Sequence, residues 1–60
     1  NLSMKEINLE RGNRWIGKTL REISTPRGTL IVLIKRNGET IIPGGDTRLR
    51  EGDSLAVARF

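Results

Sequence analysis

The residues with the clearest potential for chemistry occupy positions 12–19, which match the phosphate-loop pattern G-x-x-x-x-G-K-T. In such a loop the backbone amides surround the phosphates, the lysine reaches the outer phosphates, and the threonine hydroxyl binds magnesium. Pro26 allows the following helix only about two turns, and neither later apolar run is followed by a metal-positioning aspartate. Sixty residues also leave no room for the parallel sheet of such enzymes. A nucleotide hydrolase fragment is therefore the less favoured alternative.

A weaker form of anion binding is compatible with the same segment. Gly17 and Lys18 lie where a helix is predicted to begin, and a helix N-terminus presents free amides to an anion. We therefore predict an anion cradle at these two residues. The alternative is structural, because a glycine here would permit a tight turn between a strand and a helix.

Other catalytic groups are scarce. The chain contains no histidine and no cysteine, so the usual proton shuttle at neutral pH and the thiol nucleophile are both absent. Asp46, Glu51 and Asp53 could form an oxygen-ligand metal site or an acid and base pair. Each lies beside a glycine in a predicted turn, where carboxylates commonly accept hydrogen bonds from local amides. We therefore expect neither an enzyme nor a metal site.

The net charge is compatible with an anionic partner, but basic and acidic residues are interspersed along the chain, which favours an ordinary solvated surface of mixed charge. Eleven basic and seven acidic residues give a net charge of +4. Trp15 could stack on a nucleobase while neighbouring arginines contact phosphates. However, Trp15 and Phe60 are the only aromatic residues, whereas nucleic-acid platforms usually carry several. A small nucleic-acid-binding β domain is thus an alternative, and no nucleic-acid partner is expected.

The apolar pattern predicts an α+β fold with the order β-α-β-β-β. Strict alternation indicates a first strand at a sheet edge, and the spacing of Ile16, Leu20 and Ile23 is typical of a helix. Asn37-Gly38 favours a two-residue hairpin turn. The predicted elements are a strand at 5–10, a helix of about two turns at 17–23 that packs on a mostly antiparallel sheet, hairpin strands at 29–36 and 39–42, and a strand at 55–58.

The hairpin predicts an assembly surface. A two-residue turn places Arg36 opposite Glu39, Ile34 opposite Ile41 and Leu33 opposite Ile42. Simple alternation then gives two apolar faces, and one short helix can cover only one of them. We predict that the second face packs against another copy of the domain. The residues of this predicted dimer interface are Ile31, Leu33 and Ile42.

Length points to a single domain spanning residues 1–60. A chain of this size buries only about 60% of its unfolded surface, which favours support from a partner. The first residue is Asn1 and Met4 lies in a predicted strand, so we expect a piece of a longer polypeptide. The longest apolar run covers 30–34, far short of the roughly 20 residues that span a bilayer. We therefore expect this piece to be soluble.

Four sequence blocks together resemble the TrkA C-terminal domain family. The blocks are IGKTLREI at 16–23, PRGTLIV at 26–32, IIPGGDT at 41–47 and LREGDSL at 49–55. The resemblance extends over nearly the whole chain from about Met4, and four blocks in this order are more specific than any one of them. It also accounts for the phosphate-loop match, because Gly-Lys-Thr-Leu resembles the start of that family's helix.

The resemblance implies a regulatory domain on the cytoplasmic side of an ion-transport system. Such domains dimerise and act as ligand sensors. They occur in potassium-uptake subunits, in gating rings of potassium channels, and as tails of cation/proton antiporters and chloride-channel-type transporters. The sequence does not choose among these, and it identifies neither the ion nor the architecture upstream of Asn1. The implied partners are a second copy and a membrane transporter or channel, in the same chain or as a separate subunit.

The resemblance also implies a ligand site. In some members of the potassium systems the ligand is cyclic di-adenosine monophosphate, which binds between two protomers. No other cofactor is expected. Arg21 would pair with a phosphate, whereas the other matching residues would supply apolar walls and polar or shape contacts. The positions of this sequence that match that pocket are Trp15, Ile16, Arg21, Thr29 and Pro43.

Overall fold

The computed structural model describes residues 2–60 and contains one antiparallel sheet of four strands. The spatial order is β1-β4-β2-β3, so β1 is an edge strand, as the alternation predicted. All three strand pairs are antiparallel. The strands are β1 at Ser3–Asn8, β2 at Thr29–Arg36, β3 at Glu39–Ile41 and β4 at Ser54–Arg59.

The turn between β2 and β3 has the predicted geometry. Asn37 and Gly38 both adopt positive φ angles, 51° and 80°, as a type I′ turn requires. The predicted register is confirmed for Arg36 with Glu39 and for Ile34 with Ile41. Strand β3 ends at Ile41, so Ile42 follows the paired segment rather than extending it.

A β-bulge changes the faces of β2. Ile31 pairs with Val57 and Leu33 pairs with Ala56, which leaves Val32 as an extra residue between two consecutive pairs. Simple alternation along β2, which would place residues 30, 32 and 34 on one face, therefore does not hold. Beyond the bulge the alternation is reversed, so Ile31 and Ile34 both face the core.

The predicted helix at 17–23 is also wrong. The structure has a single 3₁₀ turn at Leu20–Glu22. The backbone before and around it bonds to a distant segment instead of to itself: the amide of Leu20 donates to Thr47 O at 3.0 Å and that of Arg21 donates to Gly45 O at 2.9 Å. In a longer helix these two amides would donate to carbonyls within the helix, so these bonds exclude it. The α+β prediction is corrected to a small antiparallel domain with almost no helix.

The core lies between one face of the sheet and the irregular segments that cross it. Its fully buried side chains include Leu9 and Leu49 from these segments and Ile34 and Leu55 from the sheet. The three apolar residues that suggested a helix still pack against this cluster, as the spacing required, although they do so from turns. These half-buried residues are Ile16, Leu20 and Ile23.

A buried ion pair joins the hairpin to the turn before β4. Arg36 Nε donates to Asp53 Oδ1 at 2.9 Å and Arg36 Nη2 donates to Asp53 Oδ2 at 2.8 Å. The amide of Arg50 donates to the same carboxylate at 2.9 Å. The hydrogen bonds from Arg36 lower the pKa of Asp53, while burial opposes this change and the Arg50 amide adds to it. Asp53 thus has the structural role predicted for it.

Candidate functional site

A cleft at the free edge of β2 brings three predicted ligand residues together. Strand β3 is short and pairs only with the end of β2, so within residues 2–60 the start of β2 has no strand on that side, and the 3₁₀ turn and the loop after β3 line this edge. Arg21, Thr29 and Pro43 all contribute to the cleft, which has a volume of about 380 Å³. This volume falls in the range of small-molecule sites.

Arg21 supplies the positive charge of the cleft. Its amide is fixed by Gly45 O, and its guanidinium lies so close to Gly45 that a Cβ there would be 2.8 Å from Nη2. The guanidinium also pairs with Asp46, but both side chains are open to solvent, at 69% and 87% exposed. An exposed pair of this kind is weak, so Arg21 is available to another anion.

Thr29 supplies an unsatisfied polar group. Its Oγ1 is buried and has no hydrogen-bond partner within residues 2–60. A buried hydroxyl without a partner costs about 1 to 3 kcal/mol. Since Oγ1 itself is shielded from solvent, Thr29 lines the cleft without presenting this oxygen to it.

The remaining walls of the cleft are mainly apolar. Leu20 and Ile23 come from the 3₁₀ turn, Ile31 comes from β2, and Pro43 closes the side after β3. An apolar wall with one cation suits a ligand that carries both an apolar group and a negative charge. Nucleotides have this combination.

Two of the predicted ligand residues lie outside this cleft. Trp15 is half-buried against the core, and its amide donates a hydrogen bond to Asn13 Oδ1 at 2.8 Å. Its side chain lines a separate groove with Ile7 and Arg14. Ile16 packs against the core cluster. The structure therefore places Arg21, Thr29 and Pro43 together and separates them from Trp15 and Ile16.

The geometry expected for an anion cradle is missing. No helix begins at Gly17, and its amide donates to Leu49 O at 2.8 Å while that of Lys18 donates to Trp15 O at 3.1 Å. The hydroxyl of Thr19 donates to Glu22 Oε1 at 3.0 Å, and the Thr19 amide does so at 2.8 Å. These bonds lower the pKa of Glu22. The amides of Gly17, Lys18 and Thr19 are thus already bonded within the chain, unlike the free donors of a phosphate loop.

The predicted interface residues do not share one face. Ile31 packs against the core, whereas Leu33 lies on the opposite face of the sheet, beside Ala56. Ile42 is 76% exposed and follows β3. The bulge at Val32 causes this separation, because it reverses the alternation between Ile31 and Leu33.

Sequence reasoning missed several cleft residues. Gly45 and Asp46 define where the Arg21 guanidinium lies, and Leu20 and Ile23 form the wall beside it. The run Pro-Gly-Gly-Asp at 43–46 by itself indicates only a turn after a strand. Two adjacent glycines before a carboxylate are a signal of close backbone approach, which here is made by Arg21.

Comparison with known proteins first identifies the class of protein: a regulatory domain of potassium-transport and cation-antiport proteins. Residues 4–58 match the family model described as TrkA-C domain. The chain belongs to this family. The family is regulatory rather than enzymatic, in agreement with the expectation from composition.

The relatives of this chain come from more than one kind of transport system. It is 38% identical over 56 residues to a Trk system potassium uptake protein TrkA homolog of Archaeoglobus fulgidus, with 93% of this chain and 13% of the relative covered. It is 41% identical over 46 residues to the K⁺/H⁺ antiporter NhaP2 of Shewanella baltica, with 75% and 8% covered. The chain therefore spans only a small part of these curated relatives.

A solved structure shares the fold. It is described as an RCK domain with cda, and it superposes with a TM-score of 0.81 at 38% identity. The match covers 92% of this chain and 77% of the solved chain. Within residues 2–60, no helix is long and apolar enough to cross a membrane.

Proposed function

We propose that this chain is the ligand-binding and dimerisation domain through which a potassium transporter, channel or cation antiporter is regulated at the cytoplasmic side of the membrane. The observation that carries the proposal is the cleft in which the exposed Arg21 guanidinium lies beside apolar walls, with Thr29 and Pro43 among the lining residues. Family membership and the transport relatives support the regulatory assignment.

The proposed ligand is cyclic di-adenosine monophosphate, shared by two copies of the domain. One cleft offers one guanidinium and one apolar wall, and it is open on the solvent side. A ligand with two phosphates and two adenines has twice this set of groups. Two clefts related by a two-fold axis would match it, each pairing Arg21 with one phosphate and packing Pro43 and Ile31 against one adenine.

The ligand proposal is tested by thermal unfolding with added cyclic di-adenosine monophosphate. At about 100 times the dissociation constant, binding adds about 2.7 kcal/mol, which raises the melting temperature of a domain this small by about 20 °C. Arg21→Ala should abolish the rise and leave the melting temperature without ligand nearly unchanged, because this side chain is exposed. The measurement is differential scanning fluorimetry of both proteins across a ligand titration.

A second variant separates charge from position. In Gly45→Ala the new Cβ would displace the guanidinium of Arg21 without removing its charge, so we expect a reduced rise. Arg14→Ala, which removes an exposed arginine outside the cleft, is the control and should respond like the unmodified chain. A full response in Arg21→Ala, or no response to the ligand in the unmodified chain, would refute this ligand assignment.

The transport assignment needs the whole protein that contains this domain. We expect ion flux into vesicles carrying that protein to change when the ligand is added, and Arg21→Ala to remove the change. Flux that is insensitive to ligand in both proteins would contradict a sensor role. Basal flux without ligand is the control for protein quantity.

A further inference from the structure

The irregular segments of the domain carry an exposed basic surface that lies outside the proposed ligand cleft. Two of these segments lie side by side, joined by an antiparallel bridge between Thr19 and Arg48. Leu49 is buried in the core, while the residues on either side of it are exposed. The exposed basic residues here, which we call the basic surface, are Arg11, Arg14, Lys18, Arg48 and Arg50, and the exposed acidic residues among them are Glu10, Glu22 and Glu51.

Trp15 lies among these cations. Its side chain lines one groove with Ile7 and Arg14 and a second groove with Arg14, Lys18 and Ile23. The residue is only half-buried, so part of it reaches the surface beside two exposed basic side chains. Tryptophan is enriched where a bilayer meets water, because its ring is apolar and its N–H is polar. An aromatic ring among exposed cations is typical of a contact with a membrane surface.

The cations beside Trp15 are not neutralised within the chain. The ion pairs within residues 2–60 include neither Arg14 nor Lys18. The acidic residue of the second groove, Glu22, accepts hydrogen bonds from the Thr19 amide at 2.8 Å and the Thr19 hydroxyl at 3.0 Å. Its Oε1 also lies 4.0 Å from Arg48 Nη1. The carboxylate is therefore partly satisfied by other groups, and the groove keeps its positive character.

The arrangement of these charges suits a planar anion better than a small one. The amides of Gly17, Lys18 and Thr19 are bonded within the chain, so no backbone donors converge on a single phosphate. The cations are instead spread over two neighbouring segments of the surface. A bilayer of anionic lipids offers many phosphates in one plane, and each Lys or Arg near it increases binding by about fivefold.

We propose that the basic surface binds an anionic lipid bilayer, with Arg14 and Lys18 at lipid phosphates and Trp15 at the level of the headgroups. This contact goes beyond the ligand-sensing role, because the second groove and the cleft share only Ile23 among their lining residues. In a membrane transport protein the domain is tethered near the bilayer, so a weak contact suffices. The tethering rests on the proposed function, whereas the affinity for vesicles does not.

The proposal is tested through the fluorescence of Trp15, which is the only tryptophan of the chain. The chain is mixed at low salt with vesicles of phosphatidylglycerol and brominated phosphatidylcholine. Bromine atoms on the acyl chains quench tryptophan only at close approach, so we expect quenching by these vesicles and none by brominated phosphatidylcholine alone. Co-sedimentation with the vesicles measures the bound fraction, which should fall as salt is added.

Single variants locate the contact. Lys18→Ala should reduce binding to the vesicles by about fivefold. Lys35→Ala is the matched control, because it removes the same charge from an exposed lysine of β2 that lines neither groove, and it should bind nearly as well as the unmodified chain. Glu22→Gln removes a negative charge but keeps an oxygen that can accept from Thr19, so it should increase binding by about two- to fivefold. Circular dichroism confirms that each variant is folded.

The outcomes separate this contact from the ligand proposal. Gly45→Ala alters the cleft without a change in charge and should leave vesicle binding unchanged. An absence of binding to anionic vesicles at low salt would overturn the membrane contact. So would binding without quenching of Trp15, or equal losses in Lys18→Ala and Lys35→Ala, since another surface would then be responsible. If adenosine monophosphate quenches Trp15 while vesicles do not bind, the groove serves a soluble nucleotide and the lipid assignment is wrong.

Discussion

Two arginine and aspartate pairs in this small domain differ sharply in their surroundings. In the pair that joins the hairpin to the turn before β4, the side chains of Arg36 and Asp53 are 17% and 1% exposed. In the pair at the cleft, those of Arg21 and Asp46 are 69% and 87% exposed. The same two functional groups therefore operate in a nearly dry and in a nearly aqueous environment.

The difference supports an architectural role for the buried pair, and it leaves the exposed pair as the one that we propose for ligand recognition. The buried carboxylate accepts two bonds from Arg36 and one from the Arg50 amide, and Arg36 Nη2 also donates to Arg48 O at 2.8 Å. None of these partners can be exchanged for water without cost. At the cleft, water already competes for Arg21, so a phosphate can replace Asp46 with little loss.

The largest effect is expected from Asp53→Asn. The substitution leaves the guanidinium of Arg36 mostly buried without an opposite charge, and breaking such a pair typically costs about 3 kcal/mol or more. For a domain of this size that is a large share of the total stability. Urea unfolding followed by circular dichroism should show a much lower midpoint.

The matched control is Asp46→Asn, the same change at the exposed pair. We expect its free energy of unfolding to lie within about 0.5 kcal/mol of the unmodified chain. If both variants lost the same free energy of unfolding, burial would not explain any difference in stability between the two ion pairs. An Asp53→Asn protein as stable as the parent would remove the architectural role of this ion pair.

Acid should reduce the stabilisation that comes from the buried pair. The pKa of Asp53 is lower in the folded chain than its ordinary value of about 3.9, so its contribution is present above that value and is lost as the pH falls toward the folded pKa. We expect the difference in unfolding free energy between the parent and Asp53→Asn to be constant from about pH 7 to 5 and to shrink below about pH 4. Titrations of urea unfolding at several pH values measure it. A difference that shrinks near neutral pH would contradict the lowered pKa.

The smallest effect concerns ligand binding in Asp46→Asn. Removing the carboxylate leaves Arg21 without its competing intramolecular anion, so a phosphate ligand should bind about two- to fivefold more tightly, as expected for the loss of an exposed pair. Isothermal titration calorimetry at low and high salt measures this, and the gain should decrease at high salt. Weaker binding would mean that Asp46 orients Arg21 rather than competing for it.

The hairpin was predictable because its determinants are local. Asn37-Gly38 specifies the turn, and the turn specifies the pairing of Arg36 with Glu39. The bulge at Val32 was not predictable, because it depends on how β2 pairs with β4, which is distant in sequence. One extra residue then changed which side chains face the core.

The irregular half of the chain was predictable in burial but not in backbone geometry. The spacing of Ile16, Leu20 and Ile23 correctly indicated a shared apolar side. It did not reveal that the backbone donors would bond to the segment from Gly45 to Leu49 instead of forming a helix. The cleft was also predictable only in part. Arg21 and Thr29 were identified from the family resemblance, but the close approach of Arg21 to Gly45 depends on long-range hydrogen bonding that the sequence does not reveal.

These long-range hydrogen bonds have a consequence for how the chain folds. Leu9 and Asp53 are joined by a bond of 2.8 Å, and Gly17 and Leu49 by another of 2.8 Å, although many residues separate each pair. Closing such loops requires entropy to be lost before contacts form, which slows folding. The long-range partners of the segment before β2 lie at residues 45–53, and β1 pairs with β4, so the domain cannot complete its fold until the residues of β4 are available.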